Sequence, residues 1–335
     1  MKRIGSILIL VSLLVAGACT RTPVPANLPT VRLTASVPGD TRGTVTATEA
    51  EKAIHHVDWF AAGPDGKVVS TRGEDRTELF RLAPGEYRFM AVANLPADAP
   101  AVGEKTIEQY REDLQVSFED SFGTGTTGFV MTSPLVAVDV TSDADVRLEM
   151  SRVAAKVEMT GSVTFDLFGG ASTGRLVSIF VTNIPATVGV CTGRQSGSGY
   201  VNDAYERSRF IPAYVTEAGV PTAAMNAHTK WTGEGEKVFY AHPNAAEQAS
   251  GVEGSDHVSK LVIAAAIDGK INYYPIALPG LAANKIIRVS DVVIRGFGSD
   301  DPNHYVQDKS GLAFVVTELI PWHENSSECV LERKH

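Results

Sequence analysis

Thr30-Val31-Arg32-Leu33-Thr34-Ala35-Ser36-Val37 alternates polar and apolar residues without a break, and Pro38-Gly39-Asp40-Thr41-Arg42-Gly43 follows it directly. Successive side chains leave a β-strand on opposite sides, so a period of two marks a strand with one buried face. Val31, Leu33, Ala35 and Val37 form that face. The Pro-Gly-Asp cluster then ends the strand as a turn or loop. It presents Arg42 beside a flexible Gly43, the sort of exposed backbone that a protease binds in extended form.

The same grammar recurs along the chain. Residues 54–61, 79–82, 87–93, 129–132, 135–140 and 146–150 read as short strands, with turn signals such as Gly63-Pro64-Asp65-Gly66 and Pro84-Gly85 between them. Residues 105–114 are the one helix-like stretch, with Ile107, Tyr110 and Leu114 at spacings of three and four. A second set of strands starts at 151–164 and continues at 176–181, 237–240, 260–267, 271–278, 286–294 and 312–317. Residues 193–235 are rich in Gly, Ser and Ala and read as a long surface excursion. Many short strands without alternating helices predict an all-β chain of sandwich architecture rather than βαβ units. The 335 residues suffice for two domains. The expected divisions are 43–150 and 151–335, two tandem β-sandwiches with a short helix and long loops.

Ahead of the first strand, Lys2 and Arg3 precede the apolar run 4–15 and the small residues Ala16-Gly17-Ala18 before Cys19. That is a secretory signal, with an apolar run too short to span a bilayer as a mature helix. Small residues directly before a Cys resemble a bacterial lipobox, in which the Cys sulfur receives a diacylglycerol. Residues 1–19 therefore read as a lipoprotein signal with Cys19 as the lipidated residue, and 20–42 as a tether plus the first strand. The net charge is −9 and Lys and Arg are scattered, which speaks against a nucleic-acid partner. Beyond Cys19 only Cys191 and Cys329 remain. They are free to pair in an oxidising compartment or to stay as thiols, and their spacing suggests no metal site.

No constellation of catalytic residues stands out, and the chain reads as a non-enzyme with no cofactor. Residues 123–128 (GTGTTG) fit G-x-G-x-x-G by spacing but follow an acidic segment and precede a strand, the wrong context for a dinucleotide. His55-His56 sit where adjacent side chains diverge, unsuited to sharing a metal. Asp143, Asp145, Asp300 and Asp301 read as turn carboxylates without calcium-loop spacing. There is no H-E-x-x-H motif.

Several segments, in order, resemble the fimbrillins, the major fimbrial subunits of Bacteroidales type V pili. Cys19 opens the resemblance and Thr30 to Arg42 extends it. Pro84-Gly85-Glu86-Tyr87-Arg88-Phe89-Met90-Ala91-Val92-Ala93-Asn94 is similar to the family's strand ending in apolar-Ala-Asn. Gly128-Phe129-Val130-Met131-Thr132 is similar to its G-x-x-M-T segment, and Arg152-Val153-Ala154-Ala155-Lys156-Val157 to the opening of its C-terminal domain. Further on, Asn272-Tyr273-Tyr274-Pro275-Ile276, Val292 to Pro302 and Pro321-Trp322 resemble the family's Y-Y-P strand, its G-x-G-x-x-x-P turn and the Trp that ends the next strand.

The resemblance implies transthyretin-like sandwiches and a maturation route. The precursor is acylated at Cys19, held at the outer membrane, and cut after an Arg by a trypsin-like protease. Arg42, with Gly43 as the new N-terminus, is the matching position, and Arg72 and Arg76 are rivals. The cut removes the Val31-Leu33-Ala35-Val37 strand, and an extended segment of another fimbrial subunit fills the vacated groove. The donor would come from the segment holding Trp322, Cys329, Val330 and Leu331. That segment carries few alternating apolar residues and ends Glu332-Arg333-Lys334-His335, which leaves a tip, anchor or accessory role open beside the stalk role. A surface lipoprotein whose loops bind a glycan, or a host or bacterial receptor, is the reading from another class.

Overall fold

The computed structural model of the chain describes residues 28–37, 47–96, 105–122, 128–168, 170–204, 229–231, 236–246, 257–278, 280–303, 312–314 and 317–321. Within them the chain is a succession of short β-strands with three short helices, the all-β class that the period-two patterning predicts.

Two sheets form from the first half. The smaller has three strands in the order β4 (Thr77–Arg81), β1 (Thr30–Ser36), β9 (Ala144–Glu149). The larger runs β10 (Ser151–Arg152), β7 (Met131–Thr132), β5 (Gly85–Ala93), β2 (Val57–Ala62), β3 (Val68–Gly73), and β8 (Val136–Val140) also pairs with β5. From Phe89 onward β5 is buried on both faces, as befits a central strand between β2 and its partners on the other side. The helix expected at 105–114 is α2 (Ile107–Asp113), opened by a capping box between Thr106 and Gln109. Two four-residue helices escape the helical pattern test, α1 (Glu49–Lys52) and α3 (Phe118–Ser121).

The second half forms three main sheets. One has the order β18 (Val238–Ala241), β11 (Ala155–Met159), β21 (Lys285–Val289), β24 (Thr317–Pro321). Another is β12 (Val163–Phe165), β22 (Val292–Ile294), β23 (Leu312–Phe314). The third is β17 (Lys230–Trp231), β13 (Gly174–Thr182), β19 (Lys260–Ile267), β20 (Lys270–Ala277). The expected strand at 286–294 is two strands: Asp291 leaves the ladder and its carboxylate accepts from the Ser162 amide (3.0 Å) and hydroxyl (3.2 Å). The excursion at 193–235 holds two short strands among the described residues, β16 (Tyr200–Val201) and β17.

The halves are stitched together. β6 (Gln115–Ser117) pairs antiparallel with β15 (Thr187–Gly189). Phe60, Met90 and Tyr110 share one apolar cluster with Val188 and Val190. The main core runs from Val31 and Trp59 through to Ile287 and Ile294.

Candidate functional site: the first strand and its groove

The first strand is held from both sides. β1 pairs antiparallel with β4, Thr30 opposite Arg81 through Thr34 opposite Thr77. It pairs parallel with β9, Val31 opposite Ala144 through Ser36 opposite Glu149. Val31, Leu33 and Val37 are fully buried and Ala35 is 2% exposed, in one core with Trp59, Phe80, Phe89, Val146 and Leu148. Further bonds fasten both ends. The Thr30 amide donates to the Asp143 carboxylate (2.7 Å), so Asp143 is more than a turn residue. The Leu82 amide donates to the Pro29 carbonyl (3.1 Å), the Ala35 amide to that of Arg76 (2.9 Å) and the Met150 amide to that of Ser36 (2.8 Å). On the outer face Arg32 faces Asp145 (3.6 Å) and Arg147 Nε donates to Ser36 Oγ (2.8 Å). Taking β1 away therefore exposes an apolar trough and opens the facing edges of β4 and β9 together.

Downstream the chain is anchored at once. Thr48 caps α1 in a reciprocal box with Glu51. Buried Glu51 reaches into the second half, where its Oε1 accepts from Tyr240 OH (2.6 Å) and lies 3.0 Å from Lys156 Nζ. Burial pushes the Glu51 carboxyl upward, but the Tyr240 hydroxyl, the Lys156 ammonium and the Thr48 amide together outweigh it and hold it below its ordinary value. Arg152 Nε donates to the Glu51 carbonyl (2.9 Å), and Glu158 ties Lys156 (2.7 Å) to Arg288 (3.2 Å). Between Val37 and this clamp, residues 38–46 contain a single basic residue, Arg42.

The rival Arg72 lies within β3, its guanidinium forked onto the Asp58 carboxylate at 2.7 and 2.9 Å. Arg76 donates from Nη2 to the Lys52 carbonyl (3.4 Å). Cys19, Arg42, Gly43, Trp322, Cys329, Val330 and Leu331 lie outside the described residues, as do residues 123–127 of the glycine-rich stretch. Cys191 Sγ lies 3.5 Å from Thr132 Oγ1 and 3.6 Å from Met90 Sδ, and burial pushes its thiol up. It lines a cavity of about 290 Å³ with Thr132, Arg152 and Asn284.

One pair with the look of catalysis was invisible in the sequence, its members lying 121 residues apart. Ser121 Oγ is 2.6 Å from His242 Nε2, and His242 Nδ1 donates to the Pro185 carbonyl (2.8 Å). Both side chains are buried, among Phe118 and Phe122. Burial lowers the His242 pKa to about 4, which keeps the ring neutral. A nucleophile needs room for its substrate, and this pair has none. It is a polar rivet between α3 and the end of β18.

Residues 30–168 match the family model of the major fimbrial subunit protein (FimA). The fold is similar to a fimbrilin of Porphyromonas gingivalis W83 (TM-score 0.62, 14% identity, 90% of this chain and 99% of that chain covered). It is similar to a candidate cell adhesion protein of Parabacteroides distasonis ATCC 8503 (TM-score 0.60, 15% identity, 88% and 99% covered). A third similar structure is the tip fimbrial protein Mfa3 of Porphyromonas gingivalis with C-terminal truncation (TM-score 0.50, 13% identity, 88% and 100% covered). No curated protein matches the sequence. The matched span takes in β1 and both of its neighbours, and the chain as a whole has the fold of a fimbrilin.

Proposed function

We propose that the chain is a structural subunit of a surface fimbria with a role in adhesion, exported as a precursor lipidated on Cys19 and anchored in the outer membrane. An Arg-specific, trypsin-like protease cuts between Arg42 and Gly43, β1 departs with the tether, and an extended segment of another subunit takes its place. The observation that carries this reading is the position of β1. It is the middle strand of its sheet, yet in the sequence Arg42 stands between it and the Glu51 clamp. A cut after Arg42 releases the strand whole, while the Glu51 clamp keeps residues from Thr48 onward on the body. The capture is thermodynamically reasonable. Burying the equivalents of Val31, Leu33 and Val37 yields a gross gain of roughly 5–9 kcal/mol, with ladder hydrogen bonds on two edges besides. One groove and one donor per subunit make a head-to-tail contact, which grows as an open filament. Loss of residues 1–42 removes five basic residues and one acidic one, so the net charge moves from −9 to −13.

The subunit has no catalytic part to play in this reading, which the enclosure of Ser121 and His242 supports. One variant of the reading is an accessory or tip subunit that accepts a strand without passing one on. Treating the precursor (residues 20–335) with an Arg-specific protease separates the cases. A new N-terminus at Gly43 with SDS-resistant ladders supports the stalk subunit, and the same N-terminus without ladders supports the accessory one. An intact 38–46 segment after exhaustive digestion refutes the scheme.

A further inference from the structure

The groove holds more information than its apolarity. Along β9 the inward residues opposite β1 grow in size, Ala144, Val146, Leu148, while β1 offers Val31, Leu33 and then Ala35. The smallest residue of β1 thus faces the largest of β9, and both are buried. The outward faces are ordered too. Asp145 stands opposite Arg32, and Arg147 stands opposite Thr34 and donates to Ser36.

We propose that this arrangement on β9 is a register lock, which selects an incoming subunit strand with an Ala-sized residue at the third inward position and a basic residue between the first two. The proposal rests on the strand-replacement reading above. Its physical content is the error it prevents. In a strand of period two, a slip of one residue turns every apolar side chain outward and excludes itself. A slip of two keeps the apolar face inward and is the error that hydrophobicity alone tolerates.

Slipping β1 forward by two puts Leu33 on the buried site of Ala35, against buried Leu148, where the added bulk overpacks the core. The same slip moves Arg32 from opposite Asp145 to opposite Arg147, like charge against like. Slipping back by two leaves Ala35 on the Leu33 site, with an unfilled cavity. A strand bearing the size order medium, large, small, medium and a cation before its second apolar residue therefore has one good register. The partner that fits is a segment of another fimbrial subunit with that pattern, and a uniformly large apolar strand is rejected.

The test uses a labelled synthetic peptide of residues 28–37, the occupant that the groove is seen to hold. The precursor is cleaved by an Arg-specific protease, the protease is inhibited because Arg32 makes the free peptide its substrate, excess peptide is then added, and retained peptide is measured across a titration. Three peptides are compared: the natural one, one with Ala35→Leu and one with Arg32→Glu. The lock predicts that Ala35→Leu binds at least about tenfold more weakly, the effect expected of overpacking. Arg32→Glu should lose roughly two- to fivefold, the range of an exposed ion pair, and regain it on a subunit carrying Asp145→Lys. In the uncleaved precursor Asp145→Lys sets like charge opposite Arg32, so its melting curve should fall slightly, and adding Arg32→Glu should restore it. Asp145→Asn, which removes the charge without reversing it, should leave the two peptides equal. Binding of all three peptides within twofold on every subunit overturns the lock and leaves strand replacement standing. Retention of no peptide, the natural one included, after complete cleavage at Arg42 overturns strand replacement and the lock with it.

Discussion

Leu33 is the largest side chain that β1 buries, and it is fully buried in one core with Trp59, Phe80 and Phe89. Replacing it with alanine in the uncleaved precursor removes buried methyl and methylene groups and leaves a cavity, at a typical cost of about 2–5 kcal/mol. Thr34, on the opposite face of the same strand and half-buried, serves as the control, with an expected loss within about 0.5 kcal/mol for Thr34→Ala. The assay is urea unfolding read by tryptophan fluorescence. Trp59 lies in β2 and is buried in the same core, so Trp231→Phe and Trp322→Phe in the background make it the reporter. Leu33→Ala should lower the urea midpoint with an unchanged slope, since the area exposed on unfolding scarcely changes. The same loss carries through to maturation. After the cut β1 is held without a covalent link, and 2–5 kcal/mol corresponds to release eased by about 30-fold to several thousandfold. Ladders should then appear sooner than with the natural sequence. An unmoved midpoint, or an equal loss from Thr34→Ala, would refute the claim that β1 is seated by its alternate apolar side chains.

Three further outcomes follow from the junction and the loop. His242 has its pKa lowered to about 4 in the folded chain, against about 6.5 unfolded. Its contribution is therefore fully present above pH 6.5 and lost as pH falls towards 4, by about 3 kcal/mol in all. His242→Gln should be less stable at pH 7 but should show a flatter decline between pH 6.5 and 4, by denaturant titration at each pH; an unchanged decline would contradict the assignment. Glu51→Gln removes one carboxylate from beside buried Lys156 and should cost about 2–3 kcal/mol by thermal melting, somewhat less than a buried charge left wholly unpaired. A change under about 0.5 kcal/mol would show that the clamp holds nothing. Arg42→Ala should leave the melting curve untouched and abolish both the new N-terminus and the ladders, and ladders that form regardless would exclude Arg42.

How much of this was legible in the sequence depends on the range of the interaction. The alternation from Val31 to Val37 predicts a one-face-buried strand, and its buried residues are those four. The strand expected at 260–267 is β19 residue for residue. The three-and-four spacing at 105–114 is α2 with its cap. What escapes is short or distant. A four-residue helix such as α1 has too few turns to show a period, although its Thr48-x-x-Glu51 box was readable as a helix start. The break between β21 and β22 needed the Asp291–Ser162 bonds, which join positions 129 residues apart. Nothing local in Thr30–Ser36 says that its neighbours are β4 and a parallel β9, and the groove exists only through that pairing. The Glu51 clamp and the Ser121–His242 pair are hidden for the same reason: each joins the two halves of the chain.

The central claim is that β1 leaves and another strand takes its place. Mass spectrometry of the SDS-resistant ladders, gel-purified after Arg-specific cleavage and digested to peptides, tests it most directly. The account predicts ladders whose subunits begin at Gly43 and contain no peptide from residues 20–42. Ladders that retain residues 28–37 in equal amount with the rest of the chain would contradict it.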